Sequence, residues 1–441
     1  ISFITVPIFT RLMSTEEYGT YTVYLSWLQI LTIMTSLYLF NGVYDNAMAK
    51  YEKQRDEYTS AMQGLTLVIT GAVFALYCFT SGFWEKILNL PKSMILLMFL
   101  EALLSPALSY WSGRQRFEYR YRILVCVTIL QALMNPIASL VLIRINGGTA
   151  MMRICICVPI IVFQFCKGKE FFSKEYWGYA LRIGIPIVPH YLSGIILNQG
   201  DRIMIDKMVG KTEVALYGLA YSIGMLVQLF ISGMNSALTP WMYSKIKKGD
   251  IRSMRKVLQL LSIVVVGIAV ALMLISPELV LIFGSPKYRE AVYVIPPVAA
   301  SVFFIFIYNI LSMPQFYYEK TQFLMAASMA AAGANVVLNF IFIRLFGYIA
   351  AGYTTLACYM LYSVGHYIVS KRILVNEGIQ ENLMNPGFLL ACSVFLIGAS
   401  IICNLIFPYR ILRYAILLAS AGLVFWKKEL LLKTMADIRK K

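Results

Sequence analysis

Apolar residues along the chain fall into runs separated by short polar gaps, and a run of about twenty is what an α-helix needs to cross the hydrocarbon core of a bilayer. The pattern predicts a partial first run at 1–9, then spans at 21–44, 61–83, 94–112, 123–143 and 149–165. A second set follows at 181–200, 214–238, 257–276, 291–313, 323–343 and 348–369, and a last pair at 387–407 and 411–426. The expected fold is an all-α polytopic membrane protein with about 14 transmembrane helices: six, six and two. The first run is half the length of a span, so its helix is expected to be truncated at the start of the sequence; a signal peptide would carry a basic start and a cleavage site. The loops are too short to fold as a catalytic domain, and any chemistry is confined to the bundle.

Composition agrees with the pattern. Of 441 residues 59% are hydrophobic and 14% charged, where a soluble domain carries about 25% charged residues. The net charge of +17 would suggest nucleic acid in a soluble chain. Here the bases lie in the gaps between apolar runs, where they orient a membrane protein, so no nucleic-acid partner is expected. The eight cysteines lie in or beside apolar runs without zinc-ligand spacing, and read as small hydrophobes. Alternate loops carry 25 and 10 of the 39 Lys and Arg residues; the positive-inside rule then makes both termini cytoplasmic.

An internal repeat divides the chain. The segment from Phe9 to Tyr21 aligns without gaps with Ile205 to Tyr217, matching Arg11 with Lys207 and Glu17 with Glu213. Farther on, Asn135, Ile143, Arg144 and Gly147 align with Asn335, Ile343, Arg344 and Gly347. Six spans per half make the repeat parallel, an arrangement that places a substrate site between two lobes near the midplane. The expected organisation is an N-lobe at 1–166, a cytoplasmic linker at 167–180, a C-lobe at 181–370 and a cytoplasmic loop at 371–386. Spans 13 and 14 occupy 387–426, and a basic cytoplasmic tail 427–441.

Candidate residues are the charged and polar groups that this topology puts in lipid. Glu101 sits mid-span, where a lone carboxylate costs roughly 2.5 to 3.5 kcal/mol. Arg153 poses the same problem. A Glu101–Arg153 pair or a water-filled cavity would solve both; a protonated Glu with a snorkelling Arg is the alternative. Arg11, Asp201, Arg202 and Lys207 lie at the outer ends of the first span of each half, beside Asn198 and Gln199. Arg11 and Arg202 suit a cationic lining for an anionic head group, because guanidinium forks match phosphate oxygens; Lys207 reads as an ordinary solvated charge. His190 follows Pro186 and Pro189, so span 7 is expected to be broken or kinked there, as at many transporter binding sites. Arg114 and Arg116 belong to a basic, aromatic-interleaved cytoplasmic loop suited to anionic lipid. Nucleotide-binding and nucleophile-elbow motifs are absent from the sequence. No metal site or bound cofactor is expected.

Three strings, in order, closely resemble bacterial polysaccharide flippases, the O-antigen and capsule repeat-unit translocases of the multidrug/oligosaccharidyl-lipid/polysaccharide exporter superfamily. They are Pro7-Ile8-Phe9-Thr10-Arg11-Leu12-Met13-Ser14-Thr15-Glu16-Glu17-Tyr18-Gly19; Leu197-Asn198-Gln199-Gly200-Asp201-Arg202 followed by Leu216-Tyr217-Gly218-Leu219-Ala220-Tyr221; and Tyr318-Glu319-Lys320-Thr321 with Asn335-Val336-Val337-Leu338-Asn339. The resemblance covers the chain except its last two spans. It implies two six-helix lobes around a cation-lined cavity that opens alternately to each side. It also implies the substrate, an undecaprenyl-pyrophosphate-linked oligosaccharide moved to the outer leaflet of the bacterial cytoplasmic (inner) membrane. Arg11 matches a cavity-lining Arg of related flippases. The chain departs from the pattern in its short loop before span 6, which brings Arg153 nearer the outer surface. Further expectations are coupling to a proton or sodium gradient, and membrane lipid, a polysaccharide polymerase and glycosyltransferases as partners. The competing reading is a cation-coupled multidrug exporter of the same superfamily, for which an acidic cavity would be expected. A membrane glycosyltransferase would need a large outer loop that the sequence lacks.

Overall fold

The computed structural model describes the backbone of residues 2–40, 43–130, 148–320 and 322–426, and the side chains of 5–40, 43–130, 154–320, 323–419 and 422. Described residues form helices and connecting turns, with no strand. Helices α1 (Ser2–Leu12), α2 (Thr15–Ser36), α3 (Val43–Lys50), α4 (Arg55–Phe79), α5 (Ser81–Leu88) and α6 (Lys92–Phe117) come first. Next are α7 (Tyr121–Leu130), α8 (Gly148–Gly168), α9 (Lys174–Met208), α10 (Lys211–Gly224), α11 (Leu226–Lys247) and α12 (Ile251–Phe283). After a 3₁₀ turn (Pro286–Tyr293), α13 (Ile295–Tyr317), α14 (Gln322–Phe346), α15 (Ala350–Asn376), α16 (Pro386–Ile406) and α17 (Arg410–Trp426) complete the order. Among the described residues, eight helical stretches are long and apolar enough to cross a membrane, and the chain is an all-α polytopic membrane protein.

Local chemistry sets the helix ends. Asp250 caps α12 by accepting from the Ser253 N–H at 3.3 Å. Asn385 caps α16 through Gly387 N–H at 2.9 Å, with Pro386 at the first helical position. Two expectations need correction. The span expected at 21–44 ends at Ser36, because Leu37 and Tyr38 turn left-handed (φ 47° and 53°) before α3 begins. Its rings hold that turn: Tyr38 packs on Phe40 and Tyr191, with centroids 4.7 and 4.6 Å apart. Of the two forms expected at Pro186 and Pro189, a break or a kink, the break does not occur, since α9 runs through both prolines as one helix. The prolines lie three residues apart, so the bonds they forfeit are confined to one stretch and the turns on either side carry the helix across. Finally, residues 131–143 of the span expected at 123–143, the repeat window at Asn135–Gly147, the Arg153 side chain and the tail at 427–441 lie outside the described residues.

The chain packs as two compact units. One comprises Thr20–Gln199 with the first few residues; the other comprises Val6–Gly19 with the chain from Gly200 onward. The division therefore falls inside α9 and not in the 167–180 segment, because the last turns of α9 make their bonds with α10, α14 and α15.

The first unit packs α4 against α6 and α8, and its core is rich in tyrosine: Tyr44, Tyr51, Tyr58, Tyr110 and Tyr176 join Ala47, Met48, Ala61 and Leu65. Gly168 lies so close to the Asp56 carbonyl that a Cβ would come within 2.2 Å, and only glycine fits. In the second unit, α13 is the hub, buried at every position from Ile295 to Ile307, as a helix that is apolar all round requires. Its neighbours include α10, α11, α12, α15 and α16. With lipid as solvent, close packing replaces the hydrophobic effect as the force between helices. The C-terminal part of α1 and the start of α2 belong to this unit: the Thr10 hydroxyl donates to the Phe283 carbonyl at 2.7 Å, and Tyr18 meets Tyr288 edge-on at 6.0 Å.

Candidate functional site

Asp201 is the centre of the second unit's polar cluster. It lies in the last turns of α9, fully buried, and its carboxylate accepts three bonds from neutral donors. The Tyr217 hydroxyl of α10 and the Thr355 hydroxyl of α15 reach Oδ2 at 2.5 and 2.7 Å, and Asn339 Nδ2 of α14 reaches Oδ1 at 2.5 Å. Asn335 and Asn339, four residues apart, share one face of α14, and Asn339 Nδ2 also donates to Asn335 Oδ1 at 3.0 Å. Thr354 donates to Asn339 Oδ1 and to the Ala351 carbonyl. The cluster is thus a carboxylate ringed by amides and hydroxyls, a set of hard oxygen ligands able to hold a proton or a small monovalent cation.

Next to it, Arg202 is also buried. Its guanidinium lies 4.3 Å from the centroid of the Tyr221 ring and 5.9 Å from that of Tyr217. Stacking fixes the guanidinium plane.

The other predicted residues are dispersed. Arg11 is in the same unit but exposed, and its Nη2 donates to the Ile282 carbonyl at the end of α12, 3.2 Å away. Asn198 and Gln199 are assigned to the first unit; Asn198 donates to the Gly194 carbonyl of its own helix, and Gln199 accepts from Ser26 at 3.2 Å. Half-buried His190 sits beside Tyr191. Glu101 is buried in α6, while the pairing expected with Arg153 concerns a side chain outside the described set. Arg116 is exposed. Arg114 is half-buried and engaged by Asp56 and Glu118. With Arg120 and Lys167, these groups line a cavity of about 200 Å³ that also contains Trp111, Phe163 and Gln164. So the structure brings together Asp201 and Arg202 from the predicted set. It adds Tyr217, Asn335, Asn339 and Thr355. The Asn335–Asn339 spacing within an apolar span was the available signal for that addition; nothing in the sequence marked Thr355.

The fold is shared with solved membrane proteins. The lipid II flippase MurJ, in an inward closed conformation, superposes with a TM-score of 0.68 over 97% of this chain and 96% of that one, at 13% identity. An inward-facing multidrug resistance MATE family transporter of the MOP superfamily gives 0.67 over 86% and 95%, also at 13% identity. Residues 1–247 match the family model described as polysaccharide biosynthesis protein, and residues 186–341 match the MatE model. The chain belongs to the polysaccharide biosynthesis protein family. Two relatives come from Haemophilus influenzae: Lsg locus protein 1, 24% identical over 75% of this chain and 84% of its own length, and a membrane protein 26% identical over 73% and 81%.

Proposed function

We propose that this chain is a flippase that carries an undecaprenyl-pyrophosphate-linked oligosaccharide repeat unit from the cytoplasmic to the outer leaflet of a bacterial inner membrane, for surface polysaccharide assembly. The observation that carries the reading is Arg202, a guanidinium buried in a family-matching bundle and fixed on Tyr221. A pyrophosphate cannot leave water unless cationic donors replace its hydration, and a stacked guanidinium presents parallel N–H groups in the geometry phosphate oxygens accept. The prenyl chain stays in lipid while the head group passes. Arg11, Arg153, Glu101, Asn198, Gln199 and His190 are the further candidates for contact with the head group. Exposed Arg116 serves the cytoplasmic mouth; Arg114, held by Asp56 and Glu118, shapes it.

Alternating access needs an energy source, and Asp201 is where a proton or sodium ion would bind and leave. Asn335, Asn339 and Thr355 supply the oxygen atoms that complete such a site. Glycosyltransferases supply the substrate and a polymerase consumes it. The test is a deletion strain complemented in trans. Arg202→Ala is expected to cut surface glycan at least tenfold at normal membrane abundance, with lipid-linked intermediate accumulating inside; normal export would overturn the reading.

A second reading, a cation-coupled multidrug exporter, draws on the MatE match over 186–341, which contains the Asp201 carboxylate. It predicts drug resistance on overexpression and no glycan phenotype on deletion.

A further inference from the structure

A second polar site lies deeper in the same unit. His366 of α15 is 1% exposed, about 16 Å along the helix axis from Thr355 at 1.5 Å per residue. Its Nδ1 is 2.7 Å from Nε2 of Gln315 on α13. Tyr362 meets the imidazole edge-on at 4.5 Å, and Tyr308 of α13 lies 5.8 Å away. These two phenols are the titratable groups recorded against it. Arg344, the charged group of the described part of α14, stacks on Phe340 near the opposite end of the packed helices, and Lys371 and Arg372 of α15 are exposed.

Gln315 is fully buried, yet its Oε1 has no hydrogen-bond partner, and the Ser370 hydroxyl, one turn beyond His366, has none either. An orphaned acceptor in a dry site costs on the order of 1 to 3 kcal/mol. Its position explains it. With Nε2 facing the ring, Gln315 donates to a bare Nδ1, and the imidazole is neutral with its proton on Nε2. A half-turn of the amide puts Oε1 on Nδ1 instead. Nδ1 must then carry a proton, as it does in the neutral Nδ1–H tautomer and in the imidazolium, where both nitrogens are protonated. One amide can therefore meet Nδ1 with or without its proton; uptake of a single proton from water at Nδ1 exchanges the Nε2 contacts with Nδ1 and with the Leu311 carbonyl at 3.4 Å for a bond to Oε1.

We propose that His366 and Gln315 form a proton-binding site, distinct from the Asp201 cluster, that takes up and releases a proton during the transport cycle. This deepens the coupling part of the flippase reading and rests on it. Protonation is sensed across the α13–α15 contact, because the Ser363 hydroxyl of α15 is bonded to the Phe304 carbonyl of α13 at 2.9 Å and both partners of the site move with these helices.

The chain has only two histidines, which makes the test direct. Full-length protein with ¹⁵N-labelled histidine, reconstituted in lipid nanodiscs, is titrated while the ring nitrogens are followed by NMR. His190→Gln leaves His366 as the sole signal; if that variant is poorly produced, His366→Asn assigns the two resonances of the parent. Expected is a titration between about pH 5 and 8, with Nδ1 protonated in the acid form, and a midpoint at least half a unit lower in Gln315→Leu, which removes the acceptor. An imidazole that stays neutral until the protein unfolds, or a midpoint unmoved by Gln315→Leu, would overturn the proposal. So would a His366→Asn protein whose glycan export responds to an imposed pH gradient as the parent's does. If the parent exports no glycan at all, the flippase reading fails, and the titration still reports on the site.

Discussion

Two carboxylates, one in each unit, are stabilised in opposite ways. Asp56 of the first unit sits at a helix end with 32% of its side chain exposed, and it is met by Arg114 and by Lys167 at 3.4 Å. Asp201 of the second unit is fully buried and accepts from Tyr217, Thr355 and Asn339. Near water, opposite charges pair cheaply and the pair serves as a clasp. Deep in the bundle, hydrogen bonds from neutral donors satisfy the carboxylate in place of a fixed ion pair. Arg413 and Glu278 form an intermediate case. The guanidinium is 3% exposed, bonded to both Glu278 oxygens at 2.8 and 2.9 Å and to the Leu274 carbonyl at 2.7 Å, and so ties α17 to α12.

Breaking this last pair gives the largest effect. Arg413→Met leaves Glu278 without its partner and is expected to destabilise by about 3 to 5 kcal/mol, seen as loss of membrane abundance. The double change with Glu278→Met should recover most of it. Asp201→Leu comes next: three buried donors lose their acceptor, which costs on the order of 3 kcal/mol and abolishes export. Asp201→Asn sharpens the comparison because it keeps the site's shape and most of its bonds. It should preserve thermal stability and still cut export at least tenfold; normal export would make Asp201 a clasp like Asp56.

A smaller loss is expected for Arg114→Met. With both carboxylates partly hydrated the cost is about 1 to 2 kcal/mol, and it should shrink in high salt. The smallest effect is a pH dependence. Lys245, 2.6 Å from Asp250, lowers that carboxyl from its ordinary 3.8 to about 2. A depressed folded value means the stabilisation is complete above about pH 4 and is lost as pH falls toward 2. Asp250 is about a third exposed, so the melting temperature should fall only slightly more steeply across that window than in Asp250→Asn.

Much of the fold was legible because lipid imposes a single rule. Backbone groups must bond within helices, so hydropathy alone located α6, α12, α13, α14 and α16. The turn at Leu37 and Tyr38 was hidden, because it depends on ring packing against Tyr191, a residue far along the chain. At the prolines of α9 a local rule allowed a break or a kink, and the helix excludes the break by running through both. For the site, charge made Asp201 and Arg202 visible. Tyr217, Thr355 and the two asparagines are ordinary residues whose meaning lies in convergence from three other helices. Arg11 illustrates the limit of position on a sequence, since its guanidinium goes to a carbonyl at the end of α12.

That contact also bears on how the protein is made. Thr10 and Phe283 are 273 residues apart, and a ribosome working at 5 to 20 residues per second needs roughly 14 to 55 s to span them. During that interval the C-terminal part of α1 has no docking surface, since α10, α12 and the turn after it are still to be synthesised. Its early neighbours must hold it loosely enough to give it up. Assembly of the second unit therefore has to be completed by a segment translated long before the rest of it.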